Sequence, residues 1–198
     1  MKELLVASRN RGKIKEIEAL LDGLVESVIC SEDLDAFPDT VEDGATFEEN
    51  ALKKAREAST FTGMPALADD SGLVVDALDG HPGVQSARFA GESAGDEANN
   101  ALLLEKLHGI DPDERHAAFI CVLAYVTPEG VERTFSGRVD GRILDTFKGS
   151  GGFGYDPLFL VDGFDRTMAE LELEEKNGIS HRAQAFRQFR DYLKGKNI

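Results

Sequence analysis

The chain has no tryptophan, two cysteines among 198 residues, and 22 basic residues against 37 acidic ones. A formal net charge of −15 excludes general nucleic-acid binding, which rests on neutralising many phosphates with Lys and Arg. The longest apolar run, residues 117–126, is about half of the ~20 residues that a membrane-crossing helix needs. The N-terminus lacks the apolar core of a secretion signal, so no membrane or export route is expected. Cys30 and Cys121 each sit in an apolar, β-like stretch without a CxxC partner, and read as reduced core thiols of a cytoplasmic protein. With 41% hydrophobic and 30% charged residues the composition is that of an ordinary globular protein, and the length suits one folding unit over residues 1–198.

Apolar periodicity outlines the elements. Residues 4–7 form an apolar run, and Ile14, Ile17 and Leu21 then recur at helical spacing, which predicts strand, loop and helix. A second strand is predicted over 25–29, followed by an acidic loop to Gly44 containing Pro38. Thr46 and Glu49 have capping-box spacing and start a helix. Two short strands, 65–68 and 73–75, are predicted to be linked by a tight acidic turn, Asp69-Asp70-Ser71-Gly72. A helix follows over 96–107, then a hairpin of 117–126 and 131–136 about Thr127-Pro128-Glu129-Gly130. Further strands at 139–144 and 158–161 precede a last helix bearing Phe186, Phe189 and Leu193, with Ser180 as its N-cap. A hairpin interrupting the βα alternation predicts an α/β fold with a mixed central sheet flanked by helices, in two lobes with a substrate cleft between them.

Within this acidic chain, residues 1–15 carry five basic side chains against Glu3, a local charge of +4. That island spans the junction of strand and helix, where free N–H groups and the helix dipole favour phosphate, and Gly12 lets the backbone come close. From charge alone a solvated helix start capped by Asn10 fits equally well, and the Walker glycine-lysine loop is absent. Asp69 and Asp70 beside Ser71 offer the hard oxygen donors that suit Mg²⁺, although Asp-rich turns also cap their own backbone. Four glycines around Phe153 and Tyr155 in Gly149-Ser150-Gly151-Gly152-Phe153-Gly154-Tyr155-Asp156-Pro157 can fold over a ligand, with aromatic surface for a purine ring, or form a wide turn. Lys176, Ser180, His181 and Arg182 bring donors to the last helix start; the other histidines show no metal-ligand spacing.

Taken in order, S-x-N-x-x-K at 8–13, T-F-x-E-N-A at 46–51, D-D-S-G at 69–72, G-G-F-G-Y-D-P at 151–157 and S-H-R at 180–182 resemble the inosine triphosphate pyrophosphatase family along nearly the whole chain. The resemblance implies hydrolysis of ITP, dITP and XTP to monophosphate and pyrophosphate by a Mg²⁺-dependent homodimer. It implies that Ser8, Arg9, Asn10, Arg11, Gly12, Lys13 and Lys54 contact the triphosphate. Asp70 resembles the catalytic carboxylate and metal ligand, Glu42 a second metal ligand, and Asp69, the neighbour of Asp70, a third candidate for the metal. Phe153, Gly154, Tyr155 and Asp156 correspond to a nucleotide-binding block, Lys176, His181 and Arg182 to the base pocket, and Ser71 and Arg88 to further substrate contacts. Ser8 stands where Thr is common, and Arg9 and Arg11 add charge to the loop. Two other readings use the same residues: a pyrophosphatase for modified pyrimidine triphosphates, and a sensor that binds ITP without cleaving it.

Overall fold

The structure is a computed structural model that describes residues 2–195. Among the described residues five α-helices and six strands follow one another in the order β1 (Glu3–Val6), α1 (Arg11–Leu21), β2 (Ser27–Cys30), α2 (Phe47–Thr62), β3 (Ala66–Val75), α3 (Asp96–Lys106), β4 (His116–Val126), β5 (Glu132–Ile143), β6 (Phe159–Val161), α4 (Leu173–Ile179) and α5 (His181–Gly195). The strands form one sheet in the order β2-β1-β3-β4-β5-β6. β1 runs parallel to β2 and β3, whereas β5 and β6 are antiparallel, so the sheet is mixed as the interrupted βα rhythm predicts. Among the described residues no helix is long and apolar enough to cross a membrane.

The described chain divides into two compact units, each assembled from non-contiguous segments. The first takes the described residues of Met1–Asp70, Cys121–Gly137 and Arg182–Ile198. Its strands show why helices are needed on both faces: side chains alternate along a strand, so consecutive residues enter different cores. Leu67 packs with Ile17 and Leu21 of α1 and Phe186, Phe189 and Leu193 of α5, while Ala66 and Ala68 pack with Ala51, Ala55 and Ala58 of α2. The second unit, Ser71–Ile120 and Arg138–His181, is built round Leu73 and Val75 of β3, Leu103 of α3, Phe119 of β4, and Phe159 and Val161 of β6.

Local signals set most boundaries. The Asn10 side chain accepts the Lys13 N–H at 3.0 Å and caps α1. Thr46 and Glu49 close the capping box of α2 in both directions. Two expectations change. The Asp69–Gly72 stretch is no turn: β3 runs through it without interruption. A turn assignment assumes that adjacent carboxylates seek water, but here Lys13, Arg182 and Lys54 reach them from three helices and allow both to be buried. Likewise the runs at 131–136 and 139–144 are not separate strands: one strand, β5, spans Glu132–Ile143 and continues through Gly137. The short α4 carries no apolar stripe of its own in the sequence and has no counterpart among the predicted helices.

Candidate functional site

The helix start at residues 8–13 is ordered by its own polar side chains. Ser8 Oγ accepts the Asn10 N–H at 3.3 Å, and Ser31 Oγ donates to the Ser8 carbonyl at 3.1 Å. Arg9 faces the acidic loop, pairing with Asp39 and donating to the Phe37 carbonyl at 2.7 Å. Arg11 is exposed and Gly12 partly so. Lys13 turns inward, with its Nζ 2.6 Å from Asp69 Oδ1.

Asp69 and Asp70 leave β3 on opposite faces. Asp69 enters the α1/α5 layer, where Oδ1 meets Lys13 and Oδ2 accepts from Arg182 Nε at 2.9 Å and from the Cys121 thiol at 3.1 Å. Arg182, buried at 1% exposure, also pairs with Glu16. Burial alone would raise the Asp69 carboxyl; the charges of Arg182 and then Lys13 overcome it and hold the group well below the usual carboxylate range. The Cys121 thiol moves the other way, pushed well up by burial and by the Asp69 charge.

Asp70 enters the α2 layer. Lys54 Nζ lies 2.9 Å from Asp70 Oδ1, 2.9 Å from Glu42 Oε1 and 2.7 Å from the Asp69 carbonyl. Asn50, fully buried, donates to Asp70 Oδ2 at 3.4 Å and accepts the Gly44 N–H at 2.8 Å, tying the Glu42 loop to β3. Burial raises the Asp70 carboxyl above its ordinary range; Lys54 and Lys13 oppose this without cancelling it, and Glu42 adds to the rise. Two carboxylate oxygens therefore converge on one point held by an ammonium. That donor set fits a hard divalent cation of the Mg²⁺ type, which takes one or two carboxylates and completes its shell with water and phosphate. Among the described residues no group of three or more acidic, His or Cys side chains could cage an ion unaided.

The second unit carries Ser71, Arg88, Phe153, Gly154, Tyr155, Asp156, Lys176 and His181. Its glycine loop is organised by Asp156, which accepts the Phe153 N–H at 3.0 Å and pairs with buried Lys176 at 2.6 Å. Gly152 has φ +72°, and a Cβ there would collide with the Asp156 carboxylate, so this turn requires glycine. Lys176 Nζ stands 5.1 Å from the centre of the partly exposed Phe153 ring. Tyr155 is core, with its hydroxyl donating to the Ser86 carbonyl at 2.8 Å. Gly154 is held at both ends, its N–H on Asp96 at 2.6 Å and its carbonyl on Asn100 at 2.8 Å. The His181 ring stacks on Phe119 at 5.0 Å and 16°. Ser71 lies partly exposed on β3, and Arg88 pairs with Glu92 at 3.5 Å.

The first unit thus brings together residues 8–13, Glu42, Lys54, Asp69, Asp70 and Arg182. Sequence reasoning missed Glu16, Asn50 and Cys121. Asn50 lies inside the T-F-x-E-N-A block, where a polar amide in an alanine-rich stretch of helix was the available signal. Cys121 reads as an ordinary core thiol, and a lone Glu16 among helical charges gives no sign of burial.

A strand-to-helix loop rich in cations, two buried carboxylates and a glycine loop set on a mixed sheet define a phosphate-handling α/β protein. The family model of the Ham1 family matches residues 4–192, and the chain belongs to that family. A dITP/XTP pyrophosphatase of Geobacter sulfurreducens is 58% identical over 98% of this chain and 97% of its own. One of Desulforamulus reducens is 50% identical over 96% and 95%. The solved structure of the Staphylococcus aureus Ham1 protein aligns with a TM-score of 0.88 and 42% identity, over 98% of this chain and all of that one.

Proposed function

We propose that the protein hydrolyses dITP, ITP and XTP to the nucleoside monophosphate and pyrophosphate, removing deaminated purines from the nucleotide pool. The observation that carries this reading is the pairing, on one strand, of a carboxylate holding the Lys13 ammonium with a carboxylate facing Glu42 and Lys54. Relatives 58% and 50% identical, covering almost the whole chain, bear the name dITP/XTP pyrophosphatase.

In this reading Lys13 and Lys54 grip the triphosphate and offset the charge that grows on the departing pyrophosphate. Asp70 orients a water toward the α-phosphorus and accepts its proton as the water oxygen bonds there; the α–β phosphoanhydride bond breaks, and the proton passes on to solvent. Glu42 and Asp70 would hold Mg²⁺, which supplies charge neutralisation on the phosphate oxygens. Lys176, held above the Phe153 ring, is the donor we assign to the 6-oxo group that separates inosine and xanthine from adenine.

The repulsion of a ligand of about −4 by a chain of −15 makes the local cations and the metal necessary. A cytoplasmic location is proposed from the two free, buried thiols, and a homodimer from the family resemblance. Turnover of dITP, ITP, XTP, GTP, ATP and methylated pyrimidine triphosphates, with and without Mg²⁺, tests the assignment. The deaminated purines are expected to lead, with activity lost on chelation. A lead for the pyrimidines, or binding without turnover, would overturn it.

A further inference from the structure

The alternation of β3 separates two neighbouring aspartates that look equivalent in the sequence. Leu67 and Asp69 project into the layer of α1 and α5, and Ala68 and Asp70 into the layer of α2. Cys121 of β4 belongs to the same layer as Leu67, which is why its thiol meets Asp69.

We infer that Asp69 is a positioning residue for Lys13 and takes no part in holding metal, a reading that rests on the proposed function. Its side chain is fully buried, one oxygen lies 2.6 Å from Lys13 Nζ, and the other accepts from Arg182 and Cys121. Ligating an ion would displace one of these cations and leave a buried charge without compensation. The Asp70 site differs: its partner Glu42 is 31% exposed, and Lys54 Nζ, at the end of a four-carbon stem, lies between the two carboxylates.

The arrangement answers a problem of lysine chemistry. An ammonium on a four-carbon stem occupies many rotamers, and ordering it when substrate binds costs affinity. Asp69 removes that freedom beforehand. Arg182, anchored on Glu16, and the Cys121 thiol fix the opposite oxygen, so the carboxylate itself cannot rotate.

Two measurements on the full chain test this. Mn²⁺ binding without nucleotide, followed by electron paramagnetic resonance, should stay within about twofold of wild type in Asp69→Asn and fall at least about tenfold in Asp70→Asn. The KM for ITP should rise about tenfold in Asp69→Asn, the size of one charge-assisted hydrogen bond, with kcat changed much less. Adding Lys13→Met to Asp69→Asn should raise KM no further than Lys13→Met alone, since the two act as one unit. Where Asp69→Asn does not fold, Cys121→Ala should raise KM about two- to threefold with Mn²⁺ binding intact, and Cys121→Ser should restore it.

Loss of Mn²⁺ binding in Asp69→Asn equal to that in Asp70→Asn overturns the inference, as do additive KM effects with Lys13→Met or an unchanged KM in Cys121→Ala. Unchanged Mn²⁺ binding in Asp70→Asn instead removes the proposed metal site, and the Asp69–Lys13 cycle then decides the role of Asp69 separately.

Discussion

Lys54 Nζ lies 2.9 Å from Asp70 Oδ1 and keeps the same distance from Glu42 Oε1. One ammonium thus bridges two acidic groups that would otherwise repel, and its own charge is stabilised in return: burial disfavours it, but the two carboxylates outweigh burial and raise its pKa. In the proposed reaction a divalent cation held by Glu42 and Asp70 would release Lys54 toward phosphate.

Replacing Lys54 by Met should therefore leave Glu42 and Asp70 facing each other. Removing one partner of a buried pair costs about 3–5 kcal/mol, less where a partner is partly exposed, and each kcal/mol lowers Tm by about 2–4 °C at this chain length. A Tm lower by roughly 5 °C or more is expected in calorimetry, with millimolar Mg²⁺ raising Tm more in the variant than in wild type. Equal responses to Mg²⁺ would contradict the shared site.

Asp70→Asn keeps the shape of the side chain and removes the proton acceptor. Turnover of dITP should fall by about 10²–10⁴-fold with the circular dichroism spectrum unchanged. Near-normal turnover by the folded variant would remove Asp70 from the chemistry.

Gly152→Ala forces a Cβ into the Asp156 carboxylate at a backbone φ of +72°. Urea unfolding should show a loss of about 1–3 kcal/mol, and because Asp156 also holds Lys176, the preference for ITP over ATP should narrow. A stable variant with unaltered preference would show that this loop does not position the base donor.

Cys30 gives a pH-dependent signature. Burial, aided by the charges of Glu18, Asp33 and Glu32, pushes its thiol from the ordinary 9.0 up to about 11. The fold thus favours the neutral thiol: the contribution is fully present below pH 9.0 and is lost as pH rises through about 11. Stability should decline more steeply across that window in wild type than in Cys30→Ala, as read by urea titration at stepped pH, and alkylation of native Cys30 at pH 8 should be much slower than in urea. Matching slopes, or fast native alkylation, would refute this.

Much of the fold is written in local patterns. The Asn10 cap, the Thr46–Glu49 box and the Thr127–Gly130 turn fix element ends because each is satisfied by residues a few positions away. The failures around the two aspartates share one physical cause, partners distant in sequence. Asp69-Asp70-Ser71-Gly72 reads as a turn until cations from residues 13, 54 and 182 are placed beside it. Nothing in Ser180-His181-Arg182 signals that the Arg182 guanidinium lies on Asp69 and Glu16, or that the His181 ring stacks on Phe119. The Glu42 site was legible only through the family resemblance, because an acidic loop without periodicity gives no register; Asn50, which bonds Gly44 and Asp70, supplies that register in three dimensions.

In the proposed reaction water attacks the α-phosphorus of the triphosphate. Hydrolysis of ITP in water labelled with heavy oxygen, followed by mass spectrometry of the products, tests it most directly. The label should appear in inosine monophosphate, with unlabelled pyrophosphate as the only other product; label in pyrophosphate, or release of inorganic phosphate, would contradict it.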